Sequence, residues 1–340
     1  MSSRLFYLVA VLSPLPLLCA GCGRENEIVV YAALDREFSA PILEDFERES
    51  GIVVRPKYDV ESTKTVGLAS AILAEKNRPR CDVFWNNEIL HTLRLEKAGV
   101  LEVYRSKAAA DFPSAYVSPR GTWHGLAARA RVLIVNTQLV PEDQRPRSIE
   151  DLADPKWKGK IGMAKPLFGT TATHAAVLFA HWGDEKAKSF FQRLKENDIK
   201  ILSGNKQVAL DVGSGALAFG LTDTDDSIIE RDHGSPVAIV FPDQGDGQIG
   251  TLFIPNTLAI TKGAPHLDQA RKLVDFLLAP AVEEQLAKGE SAQFPVNPAV
   301  KTPSRAAPKE TVIKWMEADF SAAADKWESA SGYIENEFLR

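Results

Sequence analysis

The stretch "EIVVYAALDREFSAPILEDFERESGIVV", residues 27–54, decides the fold. Its first eight residues form an apolar, β-branched run of the kind that fills a strand buried on both faces. After Asp35 the pattern changes. Phe38, Ile42 and Phe46 recur every fourth residue with Leu43 beside them, which is the spacing of a helix with one apolar face. Gly51 stands where such a helix ends, because glycine takes the left-handed C-cap conformation without a Cβ penalty. Strand character returns in "IVVRPKYD", followed by a helix over "VGLASAILAEKN" and a strand over "CDVFW". This alternation predicts an α/β fold with a mostly parallel sheet and helices on both faces. The loops after Tyr31, Tyr58 and Trp85 then share one rim at the carboxyl ends of the strands.

The same alternation recurs further along, with strands at "ARVLIVN", "KIGMA", "IKILSG", "LAFGL" and "VAIVFP" and helices over about 171–182 and 184–197. "TLFIPNTLAI" is again strand-like. A single long helix is expected over "APHLDQARKLVDFLLAPAVEEQLAKG", and a helical, packed segment over about 309–340, which carries Trp315, Met316, Phe320 and Trp327.

With 340 residues, 45% apolar and 25% charged, the chain has room for two domains and a sizeable core. Its net charge is -5 and the basic residues are interspersed with acidic ones, which argues against a nucleic-acid partner. The N-terminal "MSSRLFYLVAVLSPLPLLCAGC" reads as an export signal over residues 1–22, too short and too proline-broken for a membrane span. Its "CAGC" resembles a bacterial lipobox, so Cys22 is the expected lipid attachment point. Only Cys81 then remains in the body of the chain, which excludes an internal disulfide and a thiolate metal site. Cys81 precedes the apolar "DVFW" and reads as a small packed hydrophobe.

"GLTDTDDS", residues 220–227, places Asp223, Asp225 and Asp226 at the end of a small-residue strand. Read alone, it is a solvated turn in which Asp223 caps the next helix. A metal-dependent hydrolase would use such carboxylates to hold a cation that activates water. The chain offers no nucleophile to go with them: there is no G-x-S-x-G, H-E-x-x-H, P-loop or Cys–His pairing.

"CDVFWNNE", "RARVLIVNT", "SIEDLADPKWKGKIGMA", "VALDVGSGALAFGLTDTDD" and "ARKLVDFLLAPAVEEQLAKGESAQFPVNP" complete a pattern running from about 28 to 300. In order and spacing, it resembles the solute-binding component of an ABC importer, in the branch that includes periplasmic ferric-ion-binding proteins. The resemblance implies a two-lobed, type II-like periplasmic-binding-protein fold with the ligand cleft between the lobes. Strands would cross near 127–131 and 255–259, giving lobe one as 27–127 plus 259–340 and lobe two as 128–258. It also implies an exported, periplasmic or cell-envelope monomer, touching the membrane only through lipid and serving an ABC permease with its ATPase subunits. It implies no catalysis.

Carried over residue by residue, the family's metal-binding histidine corresponds to Asp35, its glutamate to Asn87 with Glu88 adjacent, and its tyrosine pair to Asp225 and Asp226. The anion subsite corresponds to Gly169, Thr170 and Thr171 at a helix N-terminus, with Asn205. Asp223, Asp225, Asp226, Asp35 and Glu88 would converge on closure, and carboxylates held that close raise one another's pKa unless a cation balances them. The ligand is therefore expected to carry positive charge. It is either a metal ion, iron among them, on Asp35, Glu88, Asp225 and Asp226 with a phosphate or carbonate-like anion, or an organic zwitterion such as an aminophosphonate. Tyr58, Trp85 and Phe168 would wall the organic ligand. His91, His174 and His181 read as helix-surface residues.

Overall fold

A computed structural model describes residues 26–59, 65–309 and 311–340. The signal segment and Cys22 lie outside the described residues. β1 (Glu27–Ala32) runs parallel to β2 (Val53–Tyr58) and to β3 (Val83–Asn86). They are linked through α1 (Arg36–Ser50) and α2 (Val66–Ala74), and α3 (Leu90–Lys97) follows β3. α1 buries Phe38, Ile42, Leu43 and Phe46, the stripe its spacing predicts, and ends at Gly51 with φ 69°, whose N–H donates to the Glu47 carbonyl.

β4 (His124–Asn136) is buried along its whole length and organises the rest. Its first part pairs antiparallel with β9 (Phe253–Ile260), from His124 opposite Leu258 to Ala130 opposite Phe253. From Arg131 to Val135 it pairs with β7 (Phe219–Asp223), and β8 (Val237–Val240) lies along Leu133 to Asn136. β5 (Ile161–Ala164) is parallel to both β7 and β6 (Lys200–Leu202). The resulting order is β2-β1-β3-β9-β4-β7-β5-β6, with β8 also on β4. One half of the sheet is therefore β2-β1-β3-β9 and the other β7-β5-β6, and β4 runs through both. The register shifts at Ala127, a buried non-glycine residue with φ 39°. Its N–H donates to Glu283 Oε1 at 2.6 Å, and Asn256 Nδ2 donates to the Leu126 and Ala127 carbonyls at 3.0 and 2.9 Å. Such a bulge bends β4 shortly before it passes from β9 to β7.

The second half carries α4 (Gly169–Trp182), α5 (Asp184–Glu196), α6 (Asn205–Gly213) and α7 (Thr224–Asp232). The glycine inside β7 has a steric reason. A Cβ on Gly220 would lie 2.4 Å from Val208 Cγ1 and 2.8 Å from the Gly162 carbonyl oxygen, so glycine is what lets α6 lie flat on β5 and β7.

Two expectations change in the C-terminal part. The predicted single long helix is α8 (Leu267–Leu277) followed by α9 (Pro280–Lys288), because Pro280 forces the preceding Ala279 into an extended conformation with ψ 142°. α10 (Phe320–Tyr333) does not sit on the first half alone. Ala323, Ala324 and Trp327 pack with Leu93 and Leu95, whereas Ala330, Ile334 and Phe338 pack with Phe179 and Phe191. Among the described residues, no helix is long and apolar enough to cross a membrane.

Candidate functional site

The carboxyl ends of the strands converge as the alternating pattern requires. Asp35 follows β1, Asn87 follows β3, Lys165 and Phe168 follow β5, Ser203 follows β6, and Asp223 closes β7. A cavity of about 30 Å³ opens among them. Its lining includes Asn87, Arg129, Lys165, Phe168, Asn205 and Asp226, with the Gly169 to Thr171 turn and Asp223. Most of these residues belong to the second half of the sheet. The N-termini of α4 and α6 both open onto this space, and their unpaired backbone N–H groups and macrodipoles favour a negative group.

Beneath the cavity lies Arg131, with no exposed surface. Its Nη1 donates to Asp223 Oδ1 at 2.6 Å, Asn205 Oδ1 at 3.1 Å and Thr170 Oγ1 at 3.2 Å, and its Nη2 donates to Thr171 Oγ1 at 3.1 Å. Thr170 Oγ1 and Asn205 Nδ2 in turn donate to Asp223 Oδ2 at 2.5 and 3.0 Å. One guanidinium thus fixes the first turns of two helices through their side chains and leaves the main-chain donors for a ligand. Burial alone would raise the Asp223 carboxyl, but Arg131, Arg129 and the Thr170 hydroxyl outweigh it and hold the group below the ordinary aspartate range. His174, on the buried face of α4, is pushed down to about 3 by burial and then by the Arg131 charge, so it is neutral.

Arg129, two residues earlier and so on the same face of β4, is 2% exposed. Its Nη1 lies 3.2 Å from Asp225 Oδ2 and 3.8 Å from Asp223 Oδ2, its Nη2 donates to the Asn87 carbonyl, and its Nε has no protein partner. Burial disfavours its charge, but Asp225, Asp223, Asp35 and Asp226 more than offset this and keep it protonated. Asp225 and Asp226 also occupy the first turn of α7, where the helix N-terminus favours carboxylates.

The family model for bacterial extracellular solute-binding proteins matches residues 91–323. This chain belongs to that family. The solute-binding protein is 25% identical over 283 residues to the major ferric iron-binding protein of Neisseria meningitidis, covering 81% of this chain and 82% of the relative. It is 23% identical over 290 residues to a putative 2-aminoethylphosphonate-binding periplasmic protein of Salmonella typhi, covering 82% of each chain. Apo ferric ion-binding protein A of Pasteurella haemolytica shares its two-lobed fold with a TM-score of 0.81, at 22% identity, over 91% of this chain and 97% of that one. The relatives are periplasmic binding proteins, and the family places this chain among the binding components of ABC importers.

The solute-binding protein distributes the sequence-derived site residues unevenly. Asn87, Phe168, Gly169, Thr170, Thr171, Asn205, Asp223 and Asp226 line the cavity. Asp35 is the half-buried N-cap of α1 and Asp225 pairs with Arg129; both act on the cavity through that guanidinium. Glu88 is a correction. It is fully buried, and its carboxylate accepts from the Leu90 and His91 N–H groups, from His91 Nδ1 at 3.0 Å, from Asn86 Nδ2 at 2.9 Å and from Thr173 Oγ1 at 2.7 Å. It ties the start of α3 to α4 and offers no free oxygen. Trp85 points into the core with no exposed surface, and half-buried Tyr58 lies beside Arg36 outside the cavity, so Phe168 alone of the three aromatics lines it. His91 and His174 are buried, not surface residues. Two of the aspartates already have cations inside the protein, since Arg129 pairs with Asp225 and Arg131 with Asp223.

Proposed function

We propose that this solute-binding protein captures a small organic ligand bearing a phosphonate- or phosphate-like acid and an ammonium, and delivers it to an ABC permease as a monomer lipid-anchored at Cys22. The observation that carries this reading is Arg129, which lines the cavity while lying within the aspartate cluster. The acidic group would take the N-termini of α4 and α6 with Arg129 and Lys165, and the ammonium would face Asp226 beside the Phe168 ring. The name of the Salmonella typhi relative supports the same class.

A second reading, a metal ion such as iron with a phosphate or carbonate-like anion, draws on the name of the Neisseria meningitidis relative. It also draws on the Asp223, Asp225 and Asp226 carboxylates, which have oxygens within 4.8 Å of one another. Native mass spectrometry of the form lacking residues 1–22, purified without chelator and paired with elemental analysis, separates the two. A stoichiometric organic mass without metal is the expected result. A stoichiometric metal with a small anion would instead select the second reading.

A further inference from the structure

The aspartate cluster has the oxygen count of a hard-cation site, yet the oxygens of Asp223 and Asp225 are already engaged. Both Asp223 oxygens are held, Oδ1 by Arg131 at 2.6 Å and Oδ2 by Thr170 and Asn205 at 2.5 and 3.0 Å. Asp225 Oδ2 pairs with Arg129 at 3.2 Å, and its Oδ1 accepts the Asp226 N–H at 3.2 Å. Glu88, a further acidic candidate nearby, spends its carboxylate inside the protein. A calcium- or manganese-like ion needs several oxygens at roughly 2.0–2.6 Å. To gather them it would have to displace a guanidinium that is 2% exposed, stranding that charge where water cannot reach it.

We infer that Arg129 is a specificity-determining residue: its guanidinium is a resident cation that excludes metal from the Asp223–Asp225–Asp226 cluster, so acidic ligands bind without metal. This rests on the reading of the cavity as an acidic-ligand site and adds to it the exclusion of metal. The same geometry makes the metal site latent. Removing the guanidinium takes the Arg129 charge away from three carboxylates whose oxygens lie within 4.8 Å of one another.

Terbium(III), a hard trivalent ion read by its sensitised luminescence, and 2-aminoethylphosphonate, read by calorimetry with and without EDTA, test both halves. Wild-type protein is expected to show no saturable terbium binding at the cluster and an unchanged phosphonate affinity in EDTA. Arg129→Gln is expected to bind terbium at least tenfold more tightly than wild type and to lose phosphonate affinity by at least tenfold. Arg129→Lys keeps a charge there and is expected to exclude terbium as wild type does, which guards against a Gln variant that fails to fold. Stoichiometric terbium binding by wild type, abolished by Asp226→Asn, would overturn the inference. So would phosphonate binding that disappears in EDTA, although the acidic-ligand reading would then survive. Absence of both phosphonate and terbium binding in wild type would remove that reading while leaving metal exclusion supported.

Discussion

Arg131 Nη1 lies 2.6 Å from Asp223 Oδ1, and the two side chains are 0% and 1% exposed. A buried pair of this kind is costly to break from one side, because the surviving charge keeps its burial and loses its partner. Arg131→Met is expected to destabilise the fold by about 3–5 kcal/mol, measured as a lower urea midpoint. The pH dependence follows from the lowered Asp223 pKa. The stabilisation is present above the unfolded aspartate value of about 4 and is lost as pH falls through the lower folded value. Wild type should therefore lose stability steeply below about pH 4, and the variant should show a shallower slope there.

His174 works in the opposite charge sense. Its folded pKa of about 3 lies below the ordinary histidine value, so acid favours the unfolded chain, which takes up the proton first. Stability is full above about pH 6.5 and falls as pH drops from there toward 3, by at most about 5 kcal/mol from this group. His174→Gln should flatten the stability profile across that window, measured by denaturant unfolding at stepped pH.

Gly220→Ala puts a methyl group 2.4 Å from Val208 Cγ1 and 2.8 Å from the Gly162 carbonyl oxygen. Overpacking of this kind costs about 1–3 kcal/mol. Because α6 must lift, Asn205 should also move away from Asp223 and ligand affinity should fall. Adding Val208→Ala is expected to restore part of the stability, which a double-mutant cycle reads directly.

Glu88→Gln separates structure from recognition. The carboxylate serves α3 and α4 and does not line the cavity, so the expected outcome is a loss of about 1–3 kcal/mol in stability with unchanged ligand affinity. A changed affinity at temperatures well below melting would return Glu88 to the ligand site.

The alternation that begins with Ile28 to Leu34 and the Phe38–Ile42–Phe46 stripe was enough to read the fold. It also placed Asp35, Asn87 and Asp223 at strand ends, because a parallel sheet presents its carboxyl ends together. The arginines were not read as site residues. "ARARVLIVN" looks like an ordinary strand, and whether its two arginines are buried depends on Asp223 and Asp225, more than 90 residues later. A signal was nonetheless present. Arg129 and Arg131 are spaced for one face of a strand that is otherwise apolar, and two buried positive charges call for buried carboxylates, which "DTDD" supplies. Glu88 was misplaced for a related reason. Its neighbour Asn87 does reach the cavity, and one step along the chain decides between cleft and core. Trp85 was misplaced likewise, because its side chain packs into the first half's core and not toward the cavity.

α10 packs Trp327 against His91 at a ring separation of 6.2 Å, and the segment just beyond it packs Phe338 against Phe191 at 5.2 Å. Lys97 pairs with Asp325, and Lys326 pairs with Asp184 at 2.8 Å. α10 and the segment just beyond it therefore close the cores on both sides of β4, and neither core is complete until they dock. Melting should accordingly be a single event, with calorimetric and van't Hoff enthalpies agreeing despite the two-part sheet. A chain cut before residue 320 should instead come apart in two steps.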